Sequence, residues 1–218
     1  MIPTEHFPLF IMAYILGSIP TAVWLGRLFF DLDVRDHGSG NAGATNTFRV
    51  LGKKVGIPVL LIDIFKGYAA VNLAFIVAQD YSTERLVNLQ LALGLLAVLG
   101  HIFPVFAGFR GGKGIATLLG LVIGVHPQGA LIAMGIFLVV FLTSRYVSLG
   151  SMVAAVSFPF IMVLVYHVTI PSLLIFSFFI AILVLVTHQK NIERLLRNEE
   201  SRARIRLKSS GFENDDDE

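Results

Sequence analysis

The sequence contains no cysteine. That excludes thiolate nucleophiles, thioester intermediates on the protein, cysteine-type zinc sites and Fe–S clusters. Charge is scarce as well: 15% of the residues are Asp, Glu, Lys or Arg, against about 25% in a soluble domain. Residues 1–6 carry no Lys or Arg, and no small-residue cleavage site follows the first apolar run. The expectation is therefore a retained span rather than an export signal. What fills the 218 residues is apolar, with 55% hydrophobic residues, 18 Phe and a mean hydropathy of +0.76. A globule of this size must keep a largely polar surface. The composition excludes an ordinary cytosolic enzyme, a disordered chain and a disulfide scaffold, and it implies an integral membrane protein.

Roughly 20 mostly apolar residues cross about 30 Å of hydrocarbon. Phe7–Phe30, Val55–Gln79 and Leu86–Phe109 meet that need. Ile115–Thr143 would extend about 43 Å as one helix and Leu149–Thr187 about 58 Å. Gly124-Val-His-Pro127 and Tyr166-His-Val-Thr-Ile-Pro171 divide them. The reading is an all-α integral membrane protein with seven transmembrane helices, the fourth of them short. In that arrangement the loops after helices 1, 3, 5 and 7 collect fifteen of the 17 Lys and Arg residues; Arg85 lies opposite and Lys66 lies within helix 2. The bias places the N-terminus outside and the C-terminus in the cytoplasm. A five-span arrangement would misplace only Arg145 and loses mainly on length. Residues 1–197 then form a single transmembrane domain, followed by a charged cytoplasmic tail over 198–218.

The four segments richest in glycine and polar residues share the cytoplasmic side. In His37-Gly-Ser-Gly-Asn-Ala-Gly-Ala-Thr-Asn-Thr-Phe-Arg49, glycines 38, 40 and 43 alternate with Ser39, Asn41, Thr45 and Asn46. Such a run suits a backbone nest for an anion, with Arg49 as a bidentate phosphate partner; it equally suits a flexible polar loop. In Gly100–Gly114, Arg110 and Lys113 flank Gly111 and Gly112 just before a helix start, where anions are favoured. The spacing is not that of a Walker A loop, and Gly114 stands where a Mg²⁺-binding hydroxyl is needed. The two cations also fit plain topology anchors. Thr143–Ser151 supplies Ser148, Ser151 and Arg145, and serine near a helix start is usually a cap. In His188-Gln-Lys-Asn-Ile-Glu-Arg194, at the end of the last membrane helix, His188, Asn191 and Arg194 fall within an arc of about 120°. Glu193 is rotated about 140° from His188 and does not pair with it.

Asp63 and Lys66 lie at i, i+3 within helix 2 and can pair. A functional interior position and a structural ion pair fit equally, and Lys66 is also long enough to snorkel. His101, near Pro104, reads as a packing residue. The tail runs basic over Arg202–Lys208 and acidic over Glu213–Glu218, which suits anionic headgroups for the basic part or a solvated tail for the whole. No metal-ligand cluster, internal repeat or cofactor motif stands out, and nothing points to nucleic acid.

Taken in order, "GSGNAGATNTFR", "GHIFPVFAGFRGGKG", "RYVSLGS" and "HQKNIERL", with "LIDIFKG" in the second helix, resemble the bacterial acyl-phosphate:glycerol-3-phosphate acyltransferase (PlsY) family over residues 14–197. Arg110 stands where many relatives carry Lys, which keeps the charge. The resemblance implies transfer of a fatty acyl group from acyl phosphate to the 1-hydroxyl of glycerol 3-phosphate, giving lysophosphatidate and phosphate, without cofactor or metal. It implies the bacterial cytoplasmic membrane, membrane lipids as surroundings and a soluble acyl-phosphate synthase as a partner. It assigns His188, Asn191 and Ser39 to catalysis. Arg49, Arg110 and Lys113 then bind phosphate, completed by Gly38, Gly40, Asn41, Gly43, Thr45, Asn46, Gly111, Gly112, Ser148 and Ser151. A phosphate oxygen of the donor, rather than His188, is expected to take the proton, because no carboxylate is placed to orient the imidazole. A transporter of a phosphorylated metabolite is the competing class, and the one-sided distribution of polar residues argues against it.

Overall fold

The computed structural model describes residues 6–203. Arg204, Arg206, Lys208 and the acidic run Glu213–Glu218 lie outside the described residues. Among the described residues the chain is helical, in the order α1 Phe7–Gly17, α2 Thr21–Phe30, α3 Ala44–Leu51, α4 Lys53–Asn72, α5 Thr83–Ile102, α6 Ile115–Val125, α7 Pro127–Ser144, α8 Val147–Phe160, α9 Pro171–Thr187 and α10 Gln189–Leu196.

Proline and glycine set most of the breaks. Pro20 has no N–H to continue the first apolar run, and α1 and α2 meet there at a bend of 43°. α6 stops at Val125, and Pro127 opens α7. α8 runs into a π-helical turn, Ile161–Val165, before Pro171 opens α9. Three segments differ from the sequence reading. Phe7–Phe30, read as one span, is broken into α1 and α2. The Gly-rich stretch does not stay a loop to Arg49: it becomes helix from Ala44 onward, so Thr45, Asn46 and Arg49 are helical residues. The segment from His188 does not continue the last membrane helix either, since α10 leaves α9 at 61°. With Gln189, Lys190, Glu193 and Arg194 among its eight residues, α10 cannot extend into hydrocarbon.

Four helical runs are long and apolar enough to cross a bilayer, or up to six if each bent pair is one span. α6 has 11 residues and spans about 16 Å, roughly half the hydrocarbon thickness. Outward-facing Leu61, Phe65, Leu131, Val139, Ile175 and Ile182 are exposed, as expected where lipid rather than water is the solvent. Without a hydrophobic drive between helices in lipid, close backbone packing holds them. Gly67 and Gly120 let α4 and α6 meet backbone to backbone, because a Cβ at either would strike the carbonyl of Thr117 or Ile64. Gly17 and Gly100 do the same for α1 and α5 at Ala97 and Tyr14.

Candidate active site

The segments that follow α2, α5, α7 and α9 gather at one end of the bundle. In the first, the Asp33 carboxylate accepts from the Arg35 N–H at 2.9 Å and from the Arg35 guanidinium at 2.7 Å. Arg35 also donates to the carbonyls of Ala107 at 2.7 Å and Arg110 at 3.1 Å, tying the first segment to the second. Those bonds hold the Asp33 carboxyl well below the usual carboxylate range and raise the guanidinium.

Asn46 is buried and fully occupied. Its Oδ1 accepts from the Ser39 N–H at 2.8 Å, and its Nδ2 donates to the carbonyls of Val34 at 2.7 Å and His37 at 3.1 Å. The expected role of Asn46 as a ligand donor is replaced by that of a brace inside its own loop. Gly38 is required beside it: its φ is +62°, and a Cβ would collide with the Asn46 Oδ1. Gly40 donates its N–H to His37 at 3.1 Å, so that N–H is not free for an anion. Gly43 caps α3. Ser39, Thr45 and Arg49 are exposed at the surface of this segment, and Asn41 is half-buried.

The second segment folds back on α5. Gly111 and Gly112 give their N–H groups to the carbonyls of Ile102 and His101, each at 3.1 Å, satisfying the orphan acceptors at the helix end. These two amides are therefore not free for the phosphate that Gly111 and Gly112 are expected to bind. Arg110 is exposed, Gly114 begins α6 at φ +81°, and Lys113 turns inward between them.

There the remaining segments converge. The Lys113 ammonium donates to Asn191 Oδ1. Asn191 Nδ2 donates to Glu200 at 2.6 Å, Ser148 Oγ donates to the same carboxylate oxygen at 2.7 Å, and Arg194 Nε reaches the other oxygen at 2.8 Å. Burial pushes Lys113 down to about 8, eased by Glu200 and reinforced by the nearby Arg194 and Arg49. Burial would raise Glu200, but the bonds from Ser148, Asn191 and Arg194 outweigh it and leave the carboxyl below its ordinary value. His188 is pushed down to about 4 by burial and then by Lys113. Its Nδ1 lies 2.8 Å from the Val184 carbonyl. A carbonyl only accepts, so Nδ1 carries the proton and Nε2 is the bare nitrogen. Ser151 donates to Val147 at 2.9 Å within α8 and faces no partner in the cluster. The arrangement is a part-buried cluster in which one carboxylate orders three donors beside the Lys113 ammonium. Its net positive charge suits an anionic ligand.

The glycerol-3-phosphate acyltransferase family profile matches residues 7–198. The chain belongs to that family. Membership makes it an acyltransferase of the membrane. Relatives bearing the name glycerol-3-phosphate acyltransferase include one from Chlorobium phaeobacteroides (strain BS1), 40% identical over 89% of this chain and 94% of the relative. Another, from Chlorobaculum tepidum, is 42% identical over 88% and 94%. The crystal structure of PlsY (YgiH), an integral membrane glycerol 3-phosphate acyltransferase in its glycerol 3-phosphate form, superposes with a TM-score of 0.81 at 39% identity, covering 91% of this chain and 96% of that one. Its lysophosphatidic acid form gives 0.77 at the same identity, covering 91% and 95%.

Within this acyltransferase, sequence reasoning singled out Lys113, Ser148, His188 and Asn191, which the fold brings together. It missed Arg35, whose signal was the Asp-x-Arg spacing, and Glu200, which was assigned to the tail. A boundary at 197 cuts Glu200 from the three side chains it binds. No sequence signal marks it, since Glu199 precedes it and only the turn after α10 decides which of the two faces inward.

Proposed function

We propose that the chain transfers a fatty acyl group from acyl phosphate to the 1-hydroxyl of glycerol 3-phosphate, releasing lysophosphatidate and phosphate. The observation that carries this reading is the convergence of Lys113, Ser148, His188, Asn191 and Arg194, from three separate segments, on one buried site with Arg49 beside it. Arg49, Arg110 and Lys113 take phosphate charge. Ser39, Asn41, Thr45, Gly43 and Ser148 supply further polar contacts, and Asn191 and His188 orient the glycerol hydroxyls or the transferring carbonyl. The hydroxyl oxygen bonds to the carbonyl carbon, and the carbonyl–oxygen bond to phosphate breaks. The phosphate leaves with the electron pair, and the hydroxyl proton ends on a phosphate oxygen. An imidazole with a pKa of about 4 is a weaker base than a leaving phosphate that ionises near neutrality. That comparison, rather than the lack of an orienting group, favours the donor phosphate as acceptor: the Val184 carbonyl already orients His188. Catalysis then comes mainly from positioning and electrostatic stabilisation.

In this reading residues 1–197, extended through Glu200, form one catalytic unit of seven membrane segments with α6 short, and the rest of 198–218 is a charged tail. The N-terminus is outside, and the site faces the cytoplasm of the bacterial inner membrane, on the cation-rich side. There a soluble synthase can hand over the donor while the acyl chain lies among lipid-facing helices. The test uses purified protein, glycerol 3-phosphate and palmitoyl phosphate, following lysophosphatidate and phosphate. Absence of lysophosphatidate overturns the reading. A parallel reaction with palmitoyl-CoA assigns the donor.

A further inference from the structure

Beneath the Lys113 loop lies a buried polar group that the proposed chemistry does not use. Asp63, Lys66 and His101 are 1%, 3% and 6% exposed. Lys66 Nζ sits 3.0 Å from Asp63 Oδ1 and donates at 3.0 Å to the Ile19 carbonyl, which also accepts from the Thr21 N–H at 3.1 Å where α1 breaks into α2. Thr21 Oγ1 donates to the same carboxylate at 3.3 Å, and His101 Nδ1 faces it at 3.7 Å. The other edge of the imidazole lies against Gly112. The three atoms nearest a Cβ built there all belong to the His101 ring, with Nε2 first. Gly111 differs, because its Cβ would strike the backbone carbonyl of His101. Gly112 sits next to Lys113, and its own N–H is spent on His101.

We infer that His101, packed against the Asp63–Lys66 pair, is a positioning residue for Lys113, and that Gly112 is glycine because the His101 ring occupies the space of its side chain, not because a ligand approaches its backbone. Removing one member of a buried ion pair leaves an uncompensated charge, so the pair holds α4 and the α1–α2 break in one arrangement. The imidazole carries that arrangement to the backbone immediately before Lys113. A shift of that backbone moves the ammonium away from Asn191 and costs ligand binding before it costs chemistry.

The inference rests on the proposed acyltransfer, and a double-mutant cycle in the full-length protein separates the two. Gly112→Ala is expected to raise the KM for glycerol 3-phosphate about ten-fold or more while kcat changes less, and to lower the thermal midpoint in detergent. His101→Ala in the same chain opens the space, so His101→Ala/Gly112→Ala should recover both KM and midpoint relative to Gly112→Ala alone. Gly111→Ala, whose clash is with backbone, should not be rescued by His101→Ala. His101→Asn serves the same test if the alanine cavity prevents folding. Absence of rescue at position 112, or equal rescue at 111, overturns the inference. A wild-type protein inactive with acyl phosphate overturns the proposed function instead, and the thermal midpoints still decide the packing claim.

Discussion

Asn191 and Glu200 are joined at 2.6 Å, a carboxamide on α10 donating to a carboxylate nine residues further on. The bond closes the turn after α10 and turns the Asn191 oxygen toward Lys113.

Replacing Glu200 by Ala leaves Ser148, Asn191 and Arg194 without their acceptor. Each buried polar group left unpaired costs about 1–3 kcal/mol, so the variant should lose thermal stability and nearly all turnover together. Glu200→Gln keeps an acceptor for Ser148 and Asn191 and should retain more of both. The Glu200 carboxyl is held below its ordinary value, so its contribution is present above the unfolded pKa and disappears as pH falls through the folded one. Melting curves across acidic pH, wild type against Glu200→Gln, read that difference.

Arg35 clamps the carbonyls of Ala107 and Arg110. Lysine keeps the charge but cannot reproduce the planar fork. Arg35→Lys should raise the KM for glycerol 3-phosphate several-fold while leaving kcat nearly intact. Steady-state kinetics with phosphate release measure the split, and an unchanged KM refutes the clamp.

Burial pushes the Lys113 ammonium down to about 8. It is cationic below that pH and neutral above it, so affinity for glycerol 3-phosphate should fall as pH rises through about 8. Lys113→Arg, always charged, should remove that alkaline limb. Calorimetric titrations at several pH values decide.

His188 stays neutral until pH falls to about 4. An acid limb in turnover near neutrality should therefore belong to substrate phosphate and persist in His188→Asn, whose rate is lower. A limb near pH 6.5 present in wild type and absent in that variant would assign it to the imidazole.

Asn46→Ala removes three hydrogen bonds at the base of the first loop. Because the abandoned partners are backbone groups at a half-exposed loop, about 1–3 kcal/mol of stability is expected to go. Any affinity loss should follow from the disordered loop. Asn46→Asp keeps the acceptor for Ser39 and should fall between the two, read by thermal midpoint and KM.

The membrane character, the helix breaks at Pro127 and Pro171, and the polar segments that carry Lys113, His188 and Asn191 were legible in the sequence, whereas the break at Pro20 was not, since Phe7–Phe30 reads as one apolar run. Each rests on local chemistry: apolar length, missing N–H groups, cations among glycines. The partners of those residues were not legible. Asn46 and Ser148 read as donors to a ligand, yet one braces its own loop and the other meets Glu200 from fifty-two positions away. Gly111 and Gly112 read as phosphate-binding residues, yet their amides cap α5 and their missing side chains make room for His101. A residue type states which bonds it can make. Only the packed chain decides which unsatisfied group lies within reach, because desolvated donors and acceptors must pair with whatever the fold places beside them.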